Sequence, residues 1–401
     1  MRLTGVTIKD FFIGDTLNIN WGFVLDLPYF RDMEKTEQNP RWHSEGSVLN
    51  HTKLVCEEML KLLNSDESIS LLFHKKRLLM LSALFHDIGK PSTTELGKDG
   101  NWHSYGHDNV GSKLARRMLW DWDIFDREYI AHMVRYHMEP LHVHKQKNPE
   151  KGMLKLMSVL PYEELYLLKM ADLNGAIQDP AFSTKEEDRQ IVLDFRTKCS
   201  ELWDAHSTAP FVNSLYRIPD FYMPMPFSYL GNEKVKTHAP TLHVMVGLPG
   251  SGKNSFIEEL KAESIISSSA VILSRDDIRV ELGYCSDDEK IVGTEEQEKE
   301  VTKVFNQRLT QAMREGKDIV VNNINLTEKR RKALKNQLPK YNYVYWYVEA
   351  PTLSDNIVRR YSQIDESVFN NMLRNFEFPQ TYECDLLYVY KQKNLTDDEE
   401  F

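Results

Sequence analysis

The hydrophobic period changes near the middle of the chain, and nothing else in the sequence constrains the fold as strongly. From roughly Trp42 to Trp203 apolar residues recur at three- and four-residue spacing, the period of a helix, and strand-like alternation is scarce. After about residue 240 the pattern becomes short apolar runs, LHVMVGL, AVILS, DIVVNN and YVYWYVEA, separated by charged, helix-prone stretches. Strands that alternate with helices imply a parallel sheet. Between the two patterns lie Pro210, Pro219, Pro224, Pro226 and Pro240, which no regular helix tolerates for long. A chain of 401 residues also exceeds what one core usually serves. The sequence therefore predicts a two-domain, α plus α/β protein. An all-α domain occupies 1–208 with its core at about 42–203, a Pro/aromatic-rich linker spans 209–239, and a domain with a parallel sheet flanked by helices covers 240–395. The linker is expected to pack, because Phe221, Tyr222, Phe227 and Tyr229 need burial, and the acidic DDEEF end is expected to fray.

Composition narrows the function classes. A net charge of −10, with 41% hydrophobic and 27% charged residues, argues against one continuous basic surface, so any contact with nucleic acid must be local. Cys56, Cys199, Cys285 and Cys384 are scattered and form no CxxC pair, which points away from a disulfide framework or a zinc knuckle. No basic, then apolar, leader opens the chain, and no run of about eighteen apolar residues occurs. The expectation is a cytoplasmic protein with no membrane partner. Oligomeric state is not legible.

The segment HVMVGLPGSGKNS reads strand, glycine-rich loop, helix start. Gly247, Pro249, Gly250, Ser251 and Gly252 form a turn whose backbone N–H groups point at phosphate oxygens, and Lys253 reaches the outer phosphates of a nucleotide. Where a Ser or Thr hydroxyl normally meets Mg²⁺, the chain has Asn254, whose amide oxygen can also ligate Mg²⁺ though with a different geometry, followed by Ser255. The next run, AVILS, ends in Ser274-Arg275-Asp276-Asp277-Ile278-Arg279, at the end of a strand that faces a ligand crevice. A carboxylate there can take the proton of an attacking hydroxyl, and an arginine can grip a phosphate. A solvated charged turn would explain such a cluster were it not for the loop beside it.

This half resembles the 5′-OH polynucleotide kinases among the P-loop phosphotransferases. The resemblance implies Asp276 as general base and Arg279 as a contact to the acceptor phosphate, in an RDDxR-type motif, with Arg275 nearby for substrate. The family's Asp-x-Asn element becomes Asn322-Asn323-Ile324-Asn325, which offers Asn323 as a hydrogen-bonding substrate contact. The stretch APTLSDNIVRR with NNMLRNFEFP resembles the family's lid, making Arg359 and Arg374, and with less force Arg360, candidates to clamp the nucleotide phosphates. ATP or another NTP with Mg²⁺ is the implied cofactor.

In the first half, His86-Asp87 closes the apolar run RLLMLSALF. Ionisable groups set against so apolar a segment need a partner, and a divalent cation supplies one. Helical phase turns His51 inward with Val48, Val55 and Met59, and Asp172 with Leu165, Leu168 and Lys169. Four N and O donors from three helices suit a transition metal or Mg²⁺. His107, in SYGHD, and His137, in VRYHM, are further donors for a second metal or a substrate phosphate, and Lys90 can bind a phosphate oxygen. Phase favours His137 over His132; His43, His142 and His144 read as surface histidines.

The H…HD…D pattern looks like the HD phosphohydrolase superfamily, which implies His51, His86, Asp87 and Asp172 as ligands to a divalent metal such as Mn²⁺, Ni²⁺ or Co²⁺. RWHSEGSVLNHT and HDIGKP resemble stretches of HD domains that act on nucleic-acid ends, although Ala176 stands where many of those carry an arginine. The order HD, then P-loop kinase, is similar to the bifunctional HD-Pnk end-healing enzymes. That resemblance implies phosphorylation of 5′-OH ends of RNA or DNA, removal of 2′,3′-cyclic phosphate or 2′-phosphate ends, and a separate ligase as partner, since no KxDG motif is present. The alternative is an HD nucleotidase or (p)ppGpp-type hydrolase joined to a small-molecule or degenerate P-loop kinase.

Overall fold

The structure, a computed structural model, describes residues 3–65, 71–206, 238–285, 294–360 and 364–392. Two compact units emerge, Met1–Ser207 and Thr208–Phe401. Most of the expected 209–239 linker and the acidic tail lie outside the described residues.

The first unit is helical. Short helices α1 (Trp21–Asp26) and α2 (Pro28–Glu34) precede α3 (Val48–Leu63), α4 (Phe73–Phe85), α5 (His107–Met118) and α6 (Ile124–Tyr136). There follow α7 (Glu139–His142), α8 (Pro149–Met157), α9 (Tyr162–Gly175) and α10 (Lys185–His206), with a two-stranded hairpin, β1 (Glu95–Leu96) and β2 (Trp102–His103), between α4 and α5. Each start has a local cause. Ser47 caps α3 by accepting from Asn50 N, Asp123 caps α6, and Asn148 with Pro149 opens α8. Helices α4 and α9 are buried nearly all round, so periodicity alone says little about which side faces what. Residues ahead of Trp42 join the core too. Phe11 and Phe30 pack against Phe85 at ring separations of 5.9 and 5.2 Å, buttressing the end of α4 that carries His86.

The second unit is a five-stranded, all-parallel sheet of β3 (Thr241–Val246), β4 (Val271–Leu273), β5 (Ile319–Val321), β6 (Asn342–Glu349) and β7 (Leu386–Lys391), in the order β4-β5-β3-β6-β7. Helices α11 (Lys253–Ala262), α12 (Arg275–Glu281), α13 (Glu295–Arg314), α14 (Glu328–Gln337), α15 (Leu353–Arg360) and α16 (Glu366–Arg374) make the connections. Strand β6 is buried at all eight positions, as a central strand covered on both faces must be. The strand order reverses at β3: α11 leads to one side, and β6 and β7 lie on the other. Such a switch opens a crevice at the carboxyl ends of the strands, where the glycine-rich loop sits. Among the described residues, no helix is long and apolar enough to cross a membrane.

Candidate active sites

In the first unit the donors expected from sequence meet. His51 comes from α3, His86 and Asp87 from the end of α4, His107 from the first residue of α5, His137 from the cap of α6 and Asp172 from α9. Gly89 makes the approach of α5 possible: a Cβ there would lie 2.1 Å from the carbonyl of His107. His86, His107 and His137 each place Nδ1 2.7–2.8 Å from a backbone carbonyl, of Ala83, Ser104 and Val134 respectively. A carbonyl only accepts, so Nδ1 carries a proton and, in the neutral ring, Nε2 is the atom left with a lone pair for the pocket.

These Nε2 atoms converge on Asp87. His86 Nε2 stands 3.2 Å and His51 Nε2 3.8 Å from Asp87 Oδ2, while His107 and His137 stand 3.4 and 3.9 Å from Oδ1. Asp172 Oδ1 closes the first set at 3.0 Å from His51 and 3.8 Å from His86. Ligands about 2.1 Å from a common ion lie roughly 3.0–3.4 Å from one another, so the residues fit a divalent cation. The chemistry of the donors agrees: His86 Nε2 is buried with no aligned hydrogen bond, a state that costs free energy unless a partner meets it, and Asp87 Oδ2 already draws one cation, the Lys90 ammonium, to 2.6 Å. His107 Nε2 and His137 Nε2, both lone-pair bearing, face each other at 3.2 Å, which a second cation shared through Asp87 would relieve.

Electrostatics follow from burial and partners. Burial would raise the Asp87 carboxyl, but His86 and Lys90 outweigh it and hold Asp87 well below the usual carboxylate range. Asp172 is likewise held down against burial, by Lys169 and His51. Burial and neighbouring imidazoles push His137 well below its ordinary value; burial lowers His107. His51 moves up despite burial, because Asp172 and Glu45 favour its charged form.

Several contributors had escaped the sequence reading. Glu45 Oε1 lies 2.9 Å from both His43 Nδ1 and His51 Nδ1, the latter contact bent away from a straight hydrogen bond, while Oε2 accepts from Ile177 N. Burial would raise the Glu45 carboxyl, but the imidazoles of His43 and His51 outweigh it and hold Glu45 at about 2. His43, expected at the surface, is mostly buried and packs edge-on against His51 at 4.6 Å. Glu45 lies in a turn, where no periodicity marks it. Lys90, by contrast expected from the sequence to meet a phosphate, sits within the pocket, 2.6 Å from Asp87 Oδ2 and bonded to Gln38 Oε1. Lys169, noted above only for its phase, pairs with Asp172 Oδ2 at 2.6 Å. His132, as phase suggested, stays out and packs with Glu128. Ala176 terminates α9 and offers its carbonyl to Lys185.

In the second unit the loop after β3 has the expected form. Gly250 and Gly252 adopt positive φ of 78° and 85°, a turn that side chains resist. Gly247 N donates to Ile324 O at 3.2 Å, and Ser251 N to Leu248 O. Lys253 curls over the loop and donates to the carbonyls of Gly247 and Leu248, both at 2.9 Å, and to Ser251 Oγ. Asn356 Nδ2 donates to the Pro249 carbonyl, and Arg359 to that of Gly250, so α15 is tied to the loop. Ser255 and Arg374 are exposed; the side chain of Arg360 lies outside the described residues.

The charged cluster is organised by a residue the sequence did not single out. Glu298, on α13, takes Arg279 through both carboxylate oxygens at 2.6 and 2.9 Å, and Arg275 at 3.2 Å. Asp276 accepts from Arg279 NH1 at 2.6 Å. Asn323, expected to contact substrate, uses Oδ1 to accept from Arg275 N at the start of α12, and Arg275, also assigned to substrate, reaches Thr302 Oγ1 and Glu298 on α13. Asn254 Oδ1 accepts from Asn322 Nδ2 at 2.9 Å. The pair stands where P-loop proteins bring a hydroxyl and a carboxylate to Mg²⁺, and neither amide is charged. The residues present do not fit a protein-held Mg²⁺ there.

Comparison with known proteins agrees with this division. Residues 47–162 match the HD domain family, and residues 242–379 match the AAA domain family. A CC-adding tRNA nucleotidyltransferase of Thermus thermophilus is 36% identical over 96 residues, which span 23% of this chain and 21% of that protein. Among solved structures, Chaetomium thermophilum Kti12 in complex with ADP-AlF3 is 18% identical with a TM-score of 0.30, covering 40% of this chain and 91% of that one. A gluconokinase from Sinorhizobium meliloti is 18% identical with a TM-score of 0.27, covering 39% and 86%. The chain thus joins a helical N-terminal unit that matches the HD domain family to a C-terminal parallel-sheet unit that matches the AAA domain family and carries the glycine-rich loop with its lysine.

Proposed function

We propose that the two sites heal nucleic-acid ends, the first unit removing a 2′,3′-cyclic phosphate or 2′-phosphate and the second phosphorylating a 5′-OH with ATP or another NTP. The observation that carries the hydrolytic half is the convergence of four imidazole Nε2 atoms with Asp87 and Asp172. A divalent cation such as Mn²⁺, Ni²⁺ or Co²⁺, when bound there, supplies polarisation of the phosphate and activation of water. The chain's own groups do the rest. Asp87 and Asp172 hold the negative charge, backbone carbonyls fix the imidazole tautomers, and Lys90 and Lys169 are the cations close enough to steer a phosphate oxygen. In the second unit, Lys253 and the loop amides bind the triphosphate, Asp276 takes the hydroxyl proton and Arg279, aligned by Glu298, meets the acceptor phosphate. A relative named for adding CC to tRNA supports an RNA end as substrate over the share of the chain it matches. RNA or DNA ends, and a separate ligase that seals them, are the partners this reading requires.

The test uses γ-labelled ATP with a 5′-OH oligonucleotide beside a mononucleoside, and a 2′-phosphate oligonucleotide beside dNTPs. Transfer to the oligonucleotide and phosphate release from its 2′ end support the reading. Hydrolysis confined to dNTPs or (p)ppGpp, with no transfer to the polymer, would favour the nucleotidase alternative.

A further inference from the structure

Asn254 directly follows the loop lysine and Asn322 directly follows β5, the strand beside β3. In P-loop proteins these two positions converge on the cation that bridges the outer phosphates, one giving a hydroxyl and the other a carboxylate. Here they converge as well, but on each other: Asn322 Nδ2 donates to Asn254 Oδ1 at 2.9 Å. Mg²⁺ gives up its water reluctantly and is usually held through one or two carboxylates. On α12 and α13, Asp276 spends one oxygen on Arg279, and both oxygens of Glu298 are taken by Arg275 and Arg279. Among the described residues, every cluster of three or more His, Cys, Asp or Glu side chains placed to share an ion belongs to the first unit. With its Oδ1 turned to Asn322, Asn254 is left to present its Nδ2 hydrogens, which a phosphate oxygen accepts, while Asn322 keeps only a neutral amide oxygen where P-loop proteins place a carboxylate.

We infer that the second unit binds the triphosphate of a nucleotide without a protein-held divalent cation, the usual cation pair being replaced by the amides of Asn254 and Asn322. The inference rests on reading this unit as a nucleotide site. Any Mg²⁺ that accompanies ATP is then held by phosphate oxygens and water.

Calorimetric titration of ATP into the full chain, in Mg²⁺ and in EDTA, tests it, with Lys253→Ala subtracted so that binding by the first unit does not count. Lys253-dependent affinity should differ by less than about fivefold between the two conditions. The Asn254→Thr/Asn322→Asp chain should bind more tightly with Mg²⁺ than in EDTA by about tenfold or more. Asn322→Asp alone should move the same way and guards against misfolding of the double variant. A loss of fivefold or more in EDTA for the natural chain, or carboxylate variants no more Mg²⁺-dependent than the natural chain, would overturn the inference. If Lys253→Ala leaves ATP binding intact, the nucleotide-site reading itself falls.

Discussion

Asp87 is the residue on which the first unit turns, because its two oxygens face two different sets of imidazoles. Asp87→Ala should abolish bound divalent metal and phosphate release while leaving Lys253-dependent ATP binding unchanged, as read by elemental analysis and calorimetry. Glu45 acts one step removed, through His51. A carboxylate on the far nitrogen of a ligating imidazole raises its basicity, and losing such a group typically weakens metal binding by about 10–100-fold. Glu45→Gln should therefore lower metal affinity within that range, and an unchanged affinity would show that the bent contact to His51 does nothing for the ligand. A third residue bears on stability. His243, inside β3, accepts a hydrogen bond from Trp346 Nε1 at its Nδ1, and burial lowers its pKa from 6.5 to about 4. The unfolded chain takes up this proton first, so the stability His243 contributes is fully present above pH 6.5 and lost as pH falls through 4. The loss approaches about 3 kcal/mol. Hydrogen exchange of the 241–246 segment should quicken across that window, and His243→Gln should flatten the change.

Helices α5 and α6 bring His107 and His137 together, and a buried charge cluster keeps them in register. Glu128 of α6 takes Arg116 of α5 at 2.8 Å and its own neighbour Arg127 at 3.0 Å, while Arg127 also stacks over Trp120. Removing one member of a buried set leaves the others as uncompensated charges, a change that costs about 3–5 kcal/mol. Glu128→Ala should lose stability on that scale in urea unfolding, and metal binding should weaken with it. In the second unit, Glu298 has a comparable place between α12 and α13, although it is partly exposed and its effect is correspondingly smaller. Glu298→Gln should impair transfer to a 5′-OH end, with ATP affinity near that of the natural chain. Equal loss of both would place Glu298 in nucleotide binding instead.

At the scale of the whole chain, two compact units carry two chemically unlike sites, one built from imidazoles and carboxylates, the other from backbone amides and a lysine. Single changes should therefore separate them: Lys253→Ala silences phosphorylation alone, and Asp87→Ala hydrolysis alone. Loss of both activities from either change would show that the sites are coupled. Much of this was legible in order of residues. The change of period gave the helical half and the strand-helix half, because an amphipathic segment must bury one face whatever its partners are. His86 and Asp87 stood out because charge beside an apolar helix needs a counter-ion, His51 and Asp172 because helical phase turns them inward, and the GxxxxGK spacing because it is local. What the order could not hold was pairing across long separations. Glu45 beside His51, Lys169 on Asp172, Glu298 between two arginines and the turning of Asn322, rather than Asn323, toward Asn254 depend on which way each side chain points once the elements have packed. Periodicity shows which face of an amphipathic element is inside; only the assembled tertiary structure decides which polar groups meet, because close packing, not sequence distance, sets the few ångströms over which a hydrogen bond acts.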